Sequence, residues 1–477
     1  MKSNIFFLSI DSLRQDKCLG KSKTSVTPNL DKLIQNGTFF NQIISTAPMT
    51  VPSLSSIFTG LYPFECTTID SMRGHKGNLF NLNQNLPTFF DDLIKSGYHT
   101  YAIIPEVLKY TNISKLFTNV KFFNSFVTLY DENLGNKILK TLNQDVKSPW
   151  FLFVHIADLH GGYLQSVHKE NYTGVNQYDK MLSAIDPWLG KIFQCINLKN
   201  TICVIASDHG SKFADFTNEM VNFSLESDRL REFEPQLGFN SAHKIATNFP
   251  KELIPLRKKL AKIYTKYRND KVKKKLEPRL DLAENLNLSP YQKRLLEKTH
   301  IIYSSECFDE GVRSALILLG PNIPSGKIIS AQISSIDLFP TILDLIKTQT
   351  KINHRGKSLV PLFSNIKNDE RVVMVEGTGD DGTQEKHSNT IGLRTKQYKY
   401  FRDRFSKSRN VHLYDLENDP FELSNVSEQN PDIIENLEHK LSQINPTGNF
   451  EFKKTHELSE EENKKIEDEL RKLGYIQ

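Results

Sequence analysis

Three nearly continuous apolar runs in this chain each stop on an acidic residue, and that repetition limits the folds open to it. Ile5–Ile10 runs into Asp11, Phe151–Ile156 into Asp158 and His160, and Ile202–Ala206 into Asp208-His209-Gly210. Runs without polar alternation read as strands buried on both faces, as in a parallel sheet covered by helices. A fourth run, Ala315–Leu319, closes on Gly320-Pro321. Helical patterns lie between them: Pro28–Asn36 ahead of Gly37, Leu86–Lys95 ahead of Gly97, and Tyr178–Cys195. Strands alternating with helices predict an α/β fold with a largely parallel sheet. Ligand sites in such sheets lie beyond the carboxyl ends of the strands, so these carboxylates and imidazoles are expected to meet in one crevice. One strand ending in Asp is ordinary turn chemistry. Three of them, two carrying His, ask for more.

With 477 residues, 38% hydrophobic and 25% charged, the chain is globular and too long for one ordinary domain. Its five cysteines lie far apart without a CxxC pair, which argues against a zinc ribbon or a disulfide framework. No apolar run approaches the ~18 residues that a membrane helix needs. The first run is shorter than a signal-peptide core and meets Asp11 where a cleavage site would stand, so a cytoplasmic location is expected.

The rhythm breaks between about 212 and 303, which reads as an insertion with helices of its own at Pro255–Tyr267 and Pro290–Thr299. Within it, Lys251–Leu280 carries twelve Lys/Arg against three Asp/Glu, in a chain of net charge +5. Such a run is either a solvated helix face or a docking surface for an anionic polymer or a membrane surface. No nucleic-acid motif accompanies it. Oligomeric state is not legible. After a helix at Ile336–Ile346, the short strand-like pieces Arg371–Glu376, Tyr398–Phe401 and His412–Asp415 predict a small antiparallel C-terminal subdomain. The division expected is a core over 1–365 and a subdomain over 366–477. Ser459 and Glu462 have capping-box spacing ahead of Ile466, Leu470 and Leu473, which predicts a docked terminal helix.

The stretch Thr50–Gly60 predicts a helix with Pro52 in its first turn and Gly60 at its end. Thr50 then stands just ahead of the N-terminus, where free N–H groups favour an anionic oxygen. A hydroxyl placed there against a metal ion can ionise and attack. A plain N-cap is the alternative.

The pieces IDSLRQD (Ile10–Asp16), TPNLDKL (Thr27–Leu33) and TVPSLSSIFTGLYP (Thr50–Pro63) resemble the N-terminal signature of the sulfatase family, within the alkaline phosphatase superfamily. HIADLHGGY (His155–Tyr163), SDHG (Ser207–Gly210), FDEGVRSALILLGP (Phe308–Pro321), SSIDLFPTIL (Ser334–Leu343), RTKQYKYF (Arg394–Phe401), LYDLENDPFELSN (Leu413–Asn425) and LRKLGYI (Leu470–Ile476) continue the resemblance in order. It implies an alkaline-phosphatase-like three-layer αβα core. It also implies one divalent cation (Mn, Zn, Mg or Ca) held by Asp11, Thr50, Asp208 and His209. Thr50 is then the nucleophile, and His160 contacts the transferred or leaving group. A second cation on Asp158, His160 and His243 or His300 is a further possibility. Arg14 and Asp16 match a first-loop position and read as structural. Arg313 and Lys244 are weaker substrate-binding candidates, and Lys327 is another stand-in for a missing anion-gripping lysine.

The departures bear on the chemistry. Thr50 stands where sulfatases carry the Cys or Ser that is oxidised to formylglycine, and Leu54 replaces the motif's Arg, so no formylglycine is expected. Ser12 stands where many sulfatases have a second metal-binding Asp. A formylglycine hydrate expels sulfate with its second hydroxyl, whereas threonine has only one. The expectation is a metal-dependent hydrolase of a phosphate or sulfate ester, its anionic substrate open to a glycan or lipid carrier. Alternatives are a phosphotransferase acting on a glycan or lipid, and a non-catalytic binding protein with a degenerate site.

Overall fold

A computed structural model describes residues 2–71, 78–124, 127–131, 133–160, 172–217, 220, 288–297, 307–364, 371–377 and 389–457. The chain divides into one unit of residues 1–215 with 300–476, and a second of 216–299 with the last residue. The elements of the first unit run β1 (Asn4–Ile10), α1 (Pro28–Asn36), β2 (Thr38–Ile44), α2 (Thr50–Thr59), β3 (Thr67–Ser71), β4 (Asn78–Leu82), α3 (Phe89–Lys95), β5 (His99–Pro105), β6 (Asn119–Phe123), α4 (Asn133–Lys140), β7 (Trp150–Ile156), α5 (Gln177–Gln194), β8 (Thr201–Ala206) and β9 (Arg313–Leu319). They continue with β10 (Lys327–Ile329), β11 (Ile333–Ser334), α6 (Leu338–Leu345), β12 (Val373–Glu376), β13 (Thr390–Arg394), β14 (Tyr398–Asp403), β15 (His412–Asp415), α7 (Pro431–Ile444) and β16 (Lys453–Glu457).

The fully buried runs became the centre of the main sheet, ordered β10-β2-β9-β8-β1-β7-β5-β6, with β11 also on β2. β1 lies parallel between β7 and β8, pairing Ser9 with His155 and with Ala206. β9 alone runs antiparallel, wedged between β8 and β2. The carboxyl ends of β1, β2, β7 and β8 therefore share one edge. Helices cover both faces. Phe6, Leu8 and Ile10 of β1 face the side of α1 and α5, and Ile5 and Phe7 the side of α2 and α3. Period-two alternation on strands buried on both faces gives this division.

α2 is anchored by Phe58, whose ring meets Phe90, Phe153 and Phe89 edge-on at 5.2, 5.3 and 5.8 Å. Truncating a buried Phe of this kind to Ala costs about 3–5 kcal/mol. The helix ends at Gly60, whose φ of +69° suits the left-handed cap and whose N–H donates to Ser56 O at 2.8 Å.

The C-terminal strands form an antiparallel sheet, β12-β13-β14-β15, as the pattern predicts. Leu437 and Leu441 of α7 pack with Leu393 and Tyr400 of that sheet. A third sheet, β16-β3-β4, was not legible in the sequence. Asp309 ties the C-terminal sheet to the turn Asp309–Val312, accepting from Arg394 Nε and Nη2 at 2.9 and 2.7 Å and from Lys399 Nζ at 2.7 Å. In the second unit, the helix Pro290–Glu297 begins at a reciprocal cap: Gln292 N donates to Ser289 Oγ, and Ser289 N to Gln292 Oε1. Pro255–Tyr267, the basic run Lys251–Leu280 and the terminal helix expected after Ser459 lie outside the described residues.

Candidate active site

Asp11, Asp208 and His209 converge at the shared strand edge, each buried, with one ligand atom apiece within 4.8 Å of the others. Asp11 follows β1, and its N–H donates to Ile156 O at 2.9 Å, which fixes it beside the end of β7. Asp208 and His209 follow β8. His209 Nε2 lies 3.6 Å from Asp11 Oδ1, 3.6 Å from Asp208 Oδ2 and 3.5 Å from Thr50 Oγ1. The Gly210 carbonyl, 2.7 Å from His209 Nδ1, accepts that nitrogen's proton and leaves Nε2 directed at the carboxylates.

Ser12 fixes the free oxygens. Its N–H donates to Asp208 Oδ1 at 3.3 Å and its hydroxyl to Asp11 Oδ1 at 2.7 Å. Its φ of 65° is a left-handed conformation unusual for a residue with a side chain, held in part by the Tyr178 hydroxyl donating to its carbonyl. The His209 N–H also donates to Asp208 Oδ1, at 2.9 Å. Asp208 Oδ2 is buried and has no hydrogen-bond partner among the described residues. An orphaned carboxylate oxygen facing an imidazole, a second carboxylate and a hydroxyl is a donor set that fits one divalent cation.

The charges follow from this crowding. Burial and the charge of Asp208 raise the Asp11 carboxyl above its usual value, although His209 and His155 pull it down. Burial also pushes Asp208 up, but His209 and His155 more than offset it, and the carboxyl ends below its usual range. Burial lowers His209, while Asp208 and Asp11 outweigh it and leave the imidazole raised.

Thr50 is the first residue of α2 rather than the residue ahead of it; Met49 is the N-cap and makes no side-chain cap. The Thr50 hydroxyl is therefore not consumed as a helix cap, and it is only half-buried. Its loop is held from behind: Ser45 Oγ lies 2.8 Å from Ser53 Oγ and 2.5 Å from the carbonyl of Asp208. His160 is half-buried beyond β7, where desolvation and the neighbouring His209 press its pKa down to about 4.

Other sequence candidates fall elsewhere. Both oxygens of Asp158 accept backbone N–H groups, from Leu129 at 3.0 Å and Tyr130 at 3.1 Å. Lys327 pairs in register with Thr38, at the start of β2, while Thr50 follows its far end. Its Nζ donates to Phe363 O at 2.7 Å. Arg14 pairs with Asp16 and Asp215 and donates to Ser211 O. Arg313 opens β9 beside Ile44, at the site's edge of the sheet, 3.8 Å from Asp309. Lys244, His243 and His300 lie outside the described residues. Sequence reading missed His155, whose Nε2 lies 3.8 Å from Asp11 Oδ2. The available signal was an ionisable side chain inside an otherwise apolar run.

A pair of carboxylates, an imidazole and a helix-borne hydroxyl thus meet at one strand edge, and comparison with known proteins gives the family. Residues 3–348 match the family model described as Sulfatase, and residues 303–447 match one described as N-sulphoglucosamine sulphohydrolase, C-terminal. This chain belongs to the sulfatase family. Arylsulfatase K of Homo sapiens is 31% identical over 180 residues, 33% of each chain, so the match spans about a third of that relative. Among solved structures, the phosphonate monoester hydrolase of Agrobacterium radiobacter aligns at a TM-score of 0.57 with 16% identity, covering 94% of this chain and 96% of that one. A protein in complex with its substrate D-glucosamine-2-N,6-O-disulfate aligns at 0.59 with 15% identity, covering 93% and 98%. At these identities the structural likeness establishes the alkaline-phosphatase-like fold.

Proposed function

We propose that this chain hydrolyses an anionic ester, a phosphate ester in preference to a sulfate ester, with Thr50 as nucleophile. One divalent cation would be held by Asp11, Asp208, His209 and Thr50. The observation that carries the reading is the Thr50 hydroxyl at the head of α2, 3.5 Å from His209 Nε2 and not consumed as a cap. A bound cation would supply Lewis-acid charge, lowering the pKa of the hydroxyl and offsetting negative charge in the transition state. Thr50 Oγ1 releases its proton to solvent and attacks phosphorus in line, the bond to the ester oxygen breaks, the departing oxygen takes a proton from solvent, and the group is transferred to threonine. His160, neutral at pH 7 with a pKa of about 4, donates an N–H hydrogen bond to the departing oxygen rather than a full proton. Water then attacks phosphorus and restores the hydroxyl. Thr50 has one hydroxyl, so release proceeds by displacement at the transferred atom, a route that suits a phosphothreonine better than a sulfothreonine.

Free anionic esters and those carried on a glycan or lipid both fit this chemistry. The cysteines 18, 66, 195, 203 and 307 are all unpaired, which supports a reducing compartment such as the cytoplasm. Among the described residues no helix is long and apolar enough to cross a membrane.

The test compares wild type with Thr50→Ala on matched aryl phosphate monoester, phosphate diester and aryl sulfate, with Mn, Mg, Zn or Ca returned after chelation. Phosphate-ester turnover lost in Thr50→Ala supports the reading. Turnover unchanged in Thr50→Ala removes threonine as nucleophile. Faster turnover with an added alcohol than with water turns the reading towards a phosphotransferase.

A further inference from the structure

The imidazole of His155 has no part in the chemistry above, yet it is 2% exposed in the middle of the main sheet. Its strand, β7, is buried at every position. A polar ring there costs free energy unless both nitrogens are engaged. Parallel pairing of β7 with β1 sets His155 beside Ser9, and Nδ1 lies 2.9 Å from Ser9 Oγ. Two residues after Ser9, just past the end of β1, comes Asp11, with Oδ2 3.8 Å from Nε2 of the same ring. That separation is ion-pair reach, longer than a hydrogen bond.

The two oxygens of Asp11 therefore have different neighbours. Oδ1 accepts from Ser12 and faces His209. Oδ2 has His155 Nε2 3.8 Å away. If Ser9 donates its hydroxyl proton to Nδ1, the ring's own proton sits on Nε2, directed at the carboxylate. His155 lies outside the group of Asp11, Asp208 and His209 that could close on an ion. Carboxylates that bind metals are commonly oriented by such a partner, and losing it weakens the metal by 10–100-fold.

We propose that His155, set by Ser9, is a positioning residue: it holds Asp11 Oδ2 out of the cation site and so presents Oδ1 alone as the ligand. The inference rests on the proposed cation site. It separates His155 from an ordinary satisfied core histidine, which would leave cation affinity untouched.

The test is calorimetric titration of the chelated, metal-free protein with Mn2+, alongside its thermal midpoint without metal. The variants are His155→Ala, His155→Gln, His155→Asn and Ser9→Ala. A Gln amide reaches the place of Nε2, while an Asn amide reaches only that of Nδ1. His155→Ala and His155→Asn are expected to bind Mn2+ about 10–100-fold more weakly, His155→Gln within about threefold of wild type, and Ser9→Ala in between. Unchanged affinity in a folded His155→Ala overturns the inference, and so does a His155→Gln as weak as His155→Ala. Should His155→Ala not fold without metal, Ser9→Ala decides: weaker binding at an unchanged midpoint supports the proposal, and unchanged binding overturns it. No uptake by the wild type overturns the cation site and this inference with it, whereas wild-type uptake with an indifferent His155 overturns this inference alone.

Discussion

Ser45 Oγ and the main-chain carbonyl of Asp208 lie 2.5 Å apart, across 163 residues of sequence. Ser53 Oγ, three residues after Thr50, lies 2.8 Å from the same hydroxyl. The hydroxyls of Ser53 and Ser45 thus link the Thr50 helix to the loop that carries Asp208 and His209. Ser45→Ala leaves that carbonyl buried without its donor, at a cost of about 1–3 kcal/mol. The expected outcome is a lower thermal midpoint together with reduced kcat on a phosphate ester. An unchanged kcat would show that the link does not align Thr50.

Gly210 presents a stricter constraint. A Cβ built there would stand 2.3 Å from Glu310 O and 3.0 Å from Arg313 O, both backbone atoms. Its own N–H donates to Gly311 O at 2.8 Å. Gly210→Ala must push the loop off the turn Asp309–Val312 and take His209 with it. We expect destabilisation of about 1–3 kcal/mol and loss of cation-dependent turnover. Wild-type unfolding by denaturant in this variant would contradict the packing described.

Glu422 gives a pH dependence remote from the catalytic groups. Burial, with the charges of Asp309 and Glu310, raises its pKa to about 8 despite the opposing charge of Lys399. A carboxyl raised on folding contributes stability that is fully present below its unfolded value near 4.5 and is lost as pH climbs through about 8. The thermal midpoint is therefore expected to fall from about pH 4.5 to about pH 8 and to level off above that. Glu422→Gln keeps an acceptor for the Asp309 N–H, which Glu422 Oε2 holds at 2.7 Å, and flattens that slope. Parallel slopes for the two proteins would refute the assignment.

The proposed cation site predicts a ligand-linked stability. At a free concentration a hundred times Kd, a cation bound only to the folded state adds about 2.7 kcal/mol. Chelation should lower the wild-type midpoint, and Mn2+ should restore it. Asp208→Asn, which keeps the shape while weakening the orphaned Oδ2 as a ligand, should show little response. Equal midpoints with and without Mn2+ in the wild type would argue against a cation at this site.

How much was legible in the sequence can be read from particular residues. β1, β7 and β8 announced themselves because strands buried on both faces cannot alternate. Their terminal Asp11, Asp208 and His209 then followed from where a parallel sheet opens. β2 was hidden by Asn41 and Gln42, which sit half-buried in mid-strand. The run that became β9 was visible, but nothing in Arg313–Leu319 records its direction. Thr50 was expected one residue ahead of its helix and is instead the helix's first residue, because Met49 takes the cap. Asp158 looked like a third site carboxylate, but the backbone amides of Leu129 and Tyr130 claim both its oxygens. Ser9 and His155 gained meaning only from strand pairing, since 146 residues separate them.

The reversed strand also sets an order of assembly. β2 leads into the Thr50 helix, and its sheet partners are β9, β10 and β11. The first of these begins at Arg313. During synthesis, β8, β1, β7, β5 and β6 can pair once residue 206 has emerged, while β2 waits on the border of a half-built sheet for more than a hundred residues longer. A nascent chain released before β9 would carry every proposed cation ligand, with the Thr50 helix packed through Phe58 but β2 still without its antiparallel partner in the main sheet. The strand that joins β2 to the rest of the main sheet is thus supplied by the last third of the polypeptide.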